Sequence, residues 1–359
     1  MKNSDKKKKN QIDRIYHICK IIENLSTLKA SPSKKYYYKL LKREIQTLYG
    51  YNSDYIKCIF LLFPLKEIVE YFKFSKKQRP VSIRSNSLKR ESFQLEKDLV
   101  NRGLNTIFLK GTLRNIGMLS NKIVGIGNCP EYLGGYYTLQ GIASLFPIFS
   151  LSPTKNDRIL DLAASPGGKT THISEIMKNS GLIVANDKSL IRIKSLVSNI
   201  HRLGVKNSIV VNFDGSIMPF IMKGFDKVLL DAPCSGSGIS YNNHNFCSNK
   251  FKRSLFINSE LQKRLLLAAI DSCDENSIKG GYIIYSTCSI FVEENENIIQ
   301  YAVENRKVKI VSTELQYGMP GYKKYKQKIF NDNMVFSRRF FSHIHNADGF
   351  FICKLIKFK

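Results

Sequence analysis

The sequence predicts an α/β protein in which a doubly wound, mostly parallel sheet follows a helical N-terminal region and a small α+β module. From Arg158 onward, strand and helix signals alternate, which is typical of a parallel sheet with helices on both faces. From Ile12 to about Phe74, apolar residues recur at helical spacing instead. The 359 residues favour about two domains, because single hydrophobic cores stop growing near ~250–300 residues.

Breaks in these patterns divide the chain into four parts. They are a basic tail (1–10), a helical N-terminal region (11–78), a small α+β module (79–129) and the main domain (130–359). The tail contains Lys6–Lys9, and the helical region after it reads as an appendage. Arg79-Pro80 ends the helical pattern, and β-leaning pieces then surround the basic segment Arg84–Arg90.

Each element of the main domain is predicted from its apolar pattern. Tyr136–Phe149 is expected to be a helix that leads into the sheet. The predicted strands are Ile159–Asp161, Leu182–Asp187, Ser208–Asp214, Lys227–Asp231 and Tyr282–Cys288, and the predicted helices lie near 169–179, 190–203, 258–277 and 293–304. Val308–Val311 and Phe350–Ile356 are expected to complete the sheet, the latter as an antiparallel edge strand.

Composition favours nucleic acid as the partner. The formal charge of +27 is large enough to attract a polyanion, and 18 Tyr and 22 Phe offer surfaces on which bases stack. The eight cysteines show no C-x-x-C spacing, so we expect reduced thiols and no metal site. The longest uncharged apolar run, Cys58–Leu65, is far shorter than the ~20 residues of a membrane span, so no membrane partner is expected.

Two cysteines stand in frames of small and polar residues just after predicted strands. Cys234 lies in the segment Asp231–Gly236, and Cys288 lies in Tyr285–Ser289. Functional groups of open α/β sheets gather past the carboxyl ends of strands, so both thiols are expected at one edge of one sheet. Paired thiols beside a cofactor loop indicate covalent catalysis, and chemically either cysteine can be the nucleophile.

Ile159–Thr170 reads as a strand, a loop of small residues and a helix start, which is how a nucleotide-like cofactor is held. Four carboxylates should line the same rim, although any one of them alone is equally well explained as a helix N-cap. They are Asp161, Asp187, Asp214 and Asp231. We assign Asp187, 19 residues after Gly168, to a ribose hydroxyl and Asp214 to an adenine amino group.

Three cofactors compete for the loop. The glycines that a dinucleotide pyrophosphate needs are absent. Gly168-Lys169-Thr170 looks like the end of a P-loop, with Leu229–Asp231 as a pseudo Walker B strand, but Ala163 stands where the first P-loop glycine belongs. An ATPase also gives no reason for the two thiols. S-adenosylmethionine carries no phosphate, so a loop with fewer glycines suffices for it.

Three motifs together resemble the NOL/NOP/Sun family of RNA cytosine-5 methyltransferases. They are Pro166–Thr170, Asp231–Gly236 and Ser286–Ser289. Further segments resemble its nucleolar proliferation-antigen branch, which methylates large-subunit ribosomal RNA: Arg79–Val81, Pro130–Tyr132, Asn199–Gly204, Ser337–Phe340 and His345–Phe351. The resemblance runs from about Ile12 to Lys357 and implies a Rossmann-like class I methyltransferase sheet. The Asn-rich stretch 239–250 departs from the family by lacking its Lys-Asp-Pro pattern.

The resemblance also implies an activity and roles for particular residues. Cys288 would add to C6 of cytosine, Cys234 would help release the product, and Asp231 would bond the base at N3. The implied cofactor is S-adenosyl-L-methionine, and its expected contacts are Ala163, Ala164, Ser165, Pro166, Gly167, Gly168, Lys169, Asp187, Asp214 and Asp231. Addition to C6 is needed because C5 of cytosine is otherwise a poor nucleophile toward a methylsulfonium.

The implied setting is ribosome biogenesis in the nucleus and nucleolus. The expected partners are ribosomal RNA and pre-ribosomal large-subunit particles, bound by a monomer, with Arg84–Arg90 contributing to RNA affinity. Two alternatives stay open: an RNA-binding assembly scaffold whose methylation is dispensable, and a cytosine-5 methyltransferase acting on tRNA.

Several other polar residues favour structural roles. We expect inert packing for Cys19, Cys58, Cys273 and Cys353. His343 and His345 lack a third metal ligand at suitable spacing, so packing or hydrogen bonding is favoured for them. Arg338-Arg339 could bind phosphate or form a solvated surface pair.

Overall fold

Helices fill most of the described N-terminal residues in the computed structural model, which describes residues 2–24, 32–77, 81–109, 113, 116–119, 125–242, 246, 251–278 and 280–359. They are α1 (Lys2–Glu23), α2 (Lys34–Tyr49), α3 (Ser53–Leu62) and α4 (Leu65–Ser75). Gly50 ends α2 with a left-handed backbone at φ 74°, and the Asn52 side chain caps α3 by accepting from the Asp54 N–H. The predicted helical pattern is confirmed, and Lys6–Lys9 lie inside α1 instead of a separate tail.

The N-terminal helices share a hydrophobic core with the main domain. Buried residues of all four helices pack with Phe246, Phe251, Leu255, Ile290, Phe291 and Phe341. The Tyr55 ring lies 4.8 Å from the Phe246 ring and 5.8 Å from the Phe291 ring, measured between centroids. The expectation of a separate appendage is therefore wrong, because the apolar faces of these helices are buried against residues more than 190 positions away in sequence.

The small module is an antiparallel sheet with one longer helix against it. Its elements are β1 (Ser82–Ser85), α5 (Ser92–Asn101), β2 (Thr106–Phe108), β3 (Ile116–Leu119), α6 (Pro130–Leu133) and β4 (Tyr137–Leu139). The strand order is β2-β3-β1-β4. Because β4 pairs with β1, the sheet extends past residue 129, where the sequence suggested that the module ends.

The single helix expected over Tyr136–Phe149 is wrong. The segment contains β4, then a short 3-10 helix at Ile142–Leu145, and then helix α7 (Phe146–Leu151). Tyr137 pairs with Ser85 in the sheet, so a partner strand more than 50 residues upstream decides its conformation. Pro147 stands in the first turn of α7, where a proline is tolerated, and it explains why a new helix begins there.

The rest of the chain alternates strands and helices as predicted. The elements are β5 (Arg158–Asp161), α8 (Gly168–Met177), β6 (Leu182–Asn186), α9 (Leu190–Leu203), β7 (Ser208–Val211), α10 (Met218–Ile221), β8 (Lys227–Asp231), α11 (Phe251–Ser272), β9 (Tyr282–Thr287), α12 (Glu296–Asn305), β10 (Val308–Val311), β11 (Met319–Pro320), β12 (Lys324–Tyr325), β13 (Lys328–Ile329), β14 (Arg338–Phe340), α13 (Ser342–His345) and β15 (Phe350–Lys357). None of the described helices is long and apolar enough to cross a membrane.

The main sheet has the order β11-β14-β15-β9-β8-β5-β6-β7, and β10 also pairs with β15. Strands β9, β8, β5, β6 and β7 are parallel neighbours, which brings their carboxyl ends to one rim. The antiparallel direction predicted for the last strand is confirmed, but its edge position is wrong. Strand β15 lies between β9 and β14, and Phe350–Leu355 are buried, as expected for a strand inside a sheet.

Candidate active site

The loop between β5 and α8 is shaped by small residues. Gly167 has φ +99°, and a Cβ at that position would lie 2.8 Å from Leu196 Cδ1. Both the backbone conformation and this close approach require glycine. The chain then enters α8 at Gly168, so the first turn of the helix, including Lys169, faces the rim of the sheet.

Two cavities meet at this rim. The larger has a volume of about 520 Å³, and its lining includes Leu162, Asp187, Asp214, Cys234 and Leu265. The smaller has a volume of about 280 Å³, and its lining includes Gln140, Ala164, Pro166, Gly168 and Lys169. Both are lined by Ala163, Ser165, Asp231 and Cys288. The loop therefore forms a wall between two spaces, and only part of it borders the larger one.

The two predicted thiols are neighbours. The Cys234 Sγ lies 3.2 Å from the Cys288 Sγ, at hydrogen-bond distance. Strands β8 and β9 are paired in parallel up to Asp231 and Ser286, which delivers both cysteines to the same place. The loop after Cys234 is tied to this position because the Gly238 N–H donates to the Cys288 carbonyl.

Cys234 is held in a setting that favours its protonated form. The hydrogen bond with Cys288 and burial raise the pKa of the Cys234 thiol well above its usual range, and the nearby Glu294 carboxylate raises it further. Glu294 is buried and accepts hydrogen bonds from Ser235 N at 2.7 Å and from Ser235 Oγ at 2.6 Å. A protonated Cys234 is able to donate its hydrogen bond to the Cys288 sulfur.

Asp231 joins the thiols to the helix start. Its Oδ2 lies 2.5 Å from Lys169 Nζ, and its Oδ1 accepts from Ser286 Oγ at 2.7 Å. Lys169, which the sequence assigned to the cofactor, thus pairs with the predicted catalytic carboxylate and lines the smaller cavity. Ser286 was not predicted to be a site residue, although it stands two residues before Cys288 in the same motif.

The four aspartates gather at the rim, as predicted, with different partners. Asp187 accepts from the N–H groups of Ser165 at 3.2 Å and Ser189 at 2.9 Å. Asp214 accepts from Lys188 Nζ at 2.6 Å and from Ser216 N at 3.0 Å, and these contacts hold the pKa of its carboxyl well below its usual range. Asp214 therefore also serves as the N-cap of a short 3-10 helix that begins at Gly215.

Asp161 differs from the other three because it borders only the smaller cavity. It is buried and accepts from Thr170 Oγ1 at 2.7 Å. Burial raises the pKa of this carboxyl to about 7. The assigned cofactor contacts are thus divided between the two cavities, and Gly167 lines neither, since its role is to shape the loop.

In the basic segment Arg84–Arg90 only the Arg84 cation is buried, whereas Lys89 is exposed and Arg90 is partly exposed, so the predicted contribution to RNA affinity stays a prediction. The Arg84 side chain is 1% exposed and pairs with Glu175 at 3.3 Å. Lys89 Nζ donates to the carbonyls of Gly134 and Arg202, and Arg90 pairs with Asp98. Arg84 and Lys89 thus join the module to the main domain through Glu175 and the Arg202 carbonyl, whereas the Arg90–Asp98 pair lies within the module.

Arg339 fits neither option stated for Arg338-Arg339, phosphate binding or a solvated surface pair, because it is buried. It forms a two-point ion pair with Glu296 and donates to the Ile290 carbonyl at 2.8 Å. Arg338 donates to backbone carbonyls, among them that of Val335 at 2.8 Å. Because Ile290 stands two residues after Cys288, Arg339 helps to fix the loop of that thiol.

The remaining histidines and cysteines singled out in the sequence have partners or surroundings within the protein. His343 Nε2 lies 3.3 Å from Glu67 Oε2, and His345 Nδ1 contacts the Phe341 backbone. Burial raises the pKa of Cys19 and Cys58 to about 11, raises that of Cys273 to about 12, and also raises that of Cys353. Among the described residues, no group of three or more His, Cys, Asp or Glu could hold a metal ion. Most of the Asn-rich stretch 239–250 lies outside the described residues.

The chain is similar to known RNA methyltransferases. Residues 148–356 match the family described as 16S rRNA methyltransferase RsmB/F. The chain is 43% identical over 348 residues to the 25S rRNA (cytosine-C(5))-methyltransferase nop2 of Schizosaccharomyces pombe, covering 96% of this chain and 57% of that protein. It is 42% identical over 326 residues to the 28S rRNA (cytosine(4447)-C(5))-methyltransferase of Homo sapiens, covering 91% of this chain and 40% of that protein.

A solved structure extends the similarity to the fold. A methyltransferase homologue from Pyrococcus horikoshii superposes with a TM-score of 0.77 at 29% identity, covering 88% of this chain and 98% of that chain. The chain spans about half the length of the curated relatives it matches, from 40% to 57% of each.

Proposed function

Since the chain belongs to the RsmB/F family of rRNA methyltransferases, we propose that it methylates C5 of a cytosine in large-subunit ribosomal RNA. The family model covers residues 148–356, whereas the relatives named for large-subunit RNA match 91% to 96% of the chain. That wider similarity includes the N-terminal helices and the small module. It therefore supports a large-subunit substrate over a small-subunit one.

One observation carries the proposal. Two thiols lie 3.2 Å apart where a larger cavity meets a smaller one. This arrangement suits a reaction in which a methyl donor in one space meets a base in the other. A base reaches such a site only after leaving its stack, so single-stranded or loosely paired RNA should be preferred.

The larger cavity fits S-adenosylmethionine, the methyl donor of this family. Asp187 offers a carboxylate for the ribose hydroxyls, Asp214 in the same lining is assigned to the adenine amino group, and Leu162 and Leu265 supply apolar walls. The donor supplies a methyl group carried on a positively charged sulfur. The smaller cavity receives the base between Lys169 and Cys288.

We assign the covalent step to Cys288. Its thiolate would form a bond to C6 of the base, and the electron pair displaced onto C5 would form a bond to the methyl carbon. The bond from that carbon to the sulfonium of the donor would break, and its electron pair would stay on the sulfur as a neutral thioether. Cys234 lies at hydrogen-bond distance from the Cys288 sulfur, so its thiol can donate to that sulfur. Asp231 contacts N3, and the adjacent Lys169 ammonium supplies the proton that N3 takes up as negative charge develops there.

Release requires transfer of the C5 proton to a base, a role open to solvent water, and the electron pair left behind forms C5=C6. The bond between sulfur and C6 breaks, and its electron pair goes to the Cys288 sulfur. Cys234 lies beside that departing sulfur and is assigned to donate a hydrogen bond to it. Intact thiols and an intact Asp231 favour an active enzyme over a scaffold with dispensable methylation. We place the reaction in nucleolar pre-ribosomal large-subunit particles, with the chain acting as a monomer.

The proposal is tested by bisulfite mapping of ribosomal RNA and tRNA from cells with and without the protein. We expect one or more large-subunit cytosines to lose methylation. Loss of methylation only in tRNA would show that the substrate is tRNA and not ribosomal RNA. Unchanged methylation in every RNA, together with wild-type growth of a Cys288→Ala strain, would favour a role as an assembly scaffold.

Asp187→Ala should weaken binding of S-adenosylmethionine by about 1.5–3 kcal/mol, because it removes a charged acceptor from the larger cavity. Titration calorimetry measures this as a rise of roughly ten- to hundredfold in Kd. Asp187→Asn is the matched control, since it keeps one acceptor for the Ser165 and Ser189 N–H groups. An alanine variant with wild-type affinity and wild-type thermal stability would contradict the ribose assignment.

RNA affinity should fall steeply with salt, because a chain of net charge +27 releases counterions when it binds phosphates. A plot of log Kd against log salt concentration, measured by fluorescence anisotropy with a single-stranded RNA, should have a large slope. Since Arg90 is paired with Asp98, Arg90→Gln should leave that slope nearly unchanged. A flat plot for the wild type would refute an electrostatic basis for binding.

A further inference from the structure

Gln140 borders the smaller cavity together with Lys169, Asp231 and Cys288, yet the mechanism above gives it no role. It directly follows β4 and is half-buried. Its backbone is fixed by Ser82, whose carbonyl accepts from Gln140 N at 3.2 Å and whose Oγ donates to Gln140 O at 2.7 Å. The side chain is therefore not needed to hold this strand end in place.

The orientation of the Gln140 amide is set by Arg84. The buried Arg84 Nη1 donates to Gln140 Oε1 at 2.9 Å, so the amide oxygen is turned toward the guanidinium. The amide nitrogen lies at the start of α8, where a Cβ on Gly168 would be 3.7 Å from Nε2. Among the described residues, no acceptor lies within hydrogen-bond distance of Nε2, so its two N–H donors are free for a ligand.

The same guanidinium holds the helix that carries Lys169. Arg84 Nη1 donates to the Gly168 carbonyl at 2.7 Å, and Nη2 donates to Thr171 Oγ1 at 3.0 Å. Glu175, which is also buried, balances the charge. The planar guanidinium of Arg84 thus aligns the Gln140 amide, on the small module, with the first turn of α8. Both the amide and this turn border the smaller cavity.

A cytosine in this cavity has an acceptor that no assigned residue serves. Asp231 and Lys169 are assigned to N3, while the O2 carbonyl still needs a donor. Addition of a thiolate to C6 places negative charge on N3 and O2, so a donor to O2 binds more strongly as the adduct forms. Preoriented donors of this kind act mainly on the rate of the chemical step.

We propose that Gln140 contacts the target base by donating from Nε2 to O2, and that Arg84 is the positioning residue that fixes this orientation. The inference rests on the proposed function, because it assigns a contact within the same reaction. Cytosine and uracil share O2, so Gln140 increases the rate of methylation and does not discriminate between the two bases.

Methylation of a substrate RNA by Gln140→Glu and Gln140→Met tests this, with kcat and KM measured in the steady state and the chemical step measured in single turnover. Glutamate keeps the shape and an acceptor for Arg84 but presents no N–H donor, and methionine removes both polar atoms. We expect both variants to lose roughly 100-fold in kcat, the scale for one preoriented donor, with little change in KM. Thermal melting and S-adenosylmethionine affinity should match the wild type.

Arg84→Lys keeps the charge but not the fork, and it also loosens the first turn of α8. Only the part of its effect that acts through Gln140 should disappear when Gln140 is already methionine, so a double-mutant cycle should give a coupling between the two positions. Wild-type kcat in both Gln140 variants, or a raised KM with unchanged kcat, would overturn the inference and leave the proposed function intact. A wild-type protein that methylates no RNA would overturn both.

Discussion

Replacement of Cys288 by alanine is expected to abolish methylation and to leave no covalent complex with RNA on a denaturing gel. The rate should fall on the order of 10⁴- to 10⁶-fold, because the alternative is attack by a C5 that no thiolate has activated. The Cys234 thiol lies only 3.2 Å from the Cys288 sulfur in the wild type. Burial and the Glu294 carboxylate, which remain in the variant, still raise the pKa of the Cys234 thiol and make it a poor replacement for the nucleophile.

Cys234→Ala is the matched variant for this experiment. It retains the nucleophile but lacks the group assigned to release, so it should accumulate a slow-migrating complex with RNA when the cofactor is supplied. The denaturing gel distinguishes the two variants in one lane each. A complex formed by Cys288→Ala and not by Cys234→Ala would reverse the two roles and indicate the mechanism of DNA cytosine methyltransferases.

Asp231→Asn should reduce the rate of methylation by roughly 10²- to 10⁴-fold, the range for loss of a group that moves a proton. An amide cannot pass the Lys169 proton to N3, and its NH₂ group would face that ammonium. Single-turnover assays at saturating cofactor isolate this effect, because Asp231 also borders the larger cavity.

Ser286→Ala is the control for the aspartate. It removes only the 2.7 Å hydrogen bond to Asp231 Oδ1, so a loss of about 1 kcal/mol, or several-fold in rate, is expected. Activity of Asp231→Asn within tenfold of the wild type would contradict a role for this carboxylate at N3. Equal losses in the two variants would indicate that Asp231 only holds the loop.

The local sequence pattern was sufficient to predict an element wherever the structure of that segment depends on its own residues. Strand β8 occupies Lys227–Asp231 as predicted, because a run of buried apolar residues followed by Ala-Pro leaves little choice. The motifs that follow β8 and β9 likewise identified both thiols, since parallel strands place their carboxyl ends at one rim.

The predictions that were wrong concern residues whose interaction partners are distant in sequence. Arg84 reads as part of a basic surface, but Glu175 neutralises it from 91 positions away, and no local pattern reveals such a pair. Arg339 is buried for the same reason, through Glu296. Gln140 carried no signal because its neighbours suggested a helix, whereas pairing with β1 made that segment a strand.

The shared core of the N-terminal helices has a consequence for synthesis. The Tyr55 ring packs on Phe246 and Phe291, so α3 emerges from the translating ribosome well before the surface that covers it. At about 5–20 residues per second, the wait for Phe246 is roughly 10–40 seconds. During that time its apolar face is open to chaperones, and the helix and the loop of Cys288 reach their final packing together, late in translation.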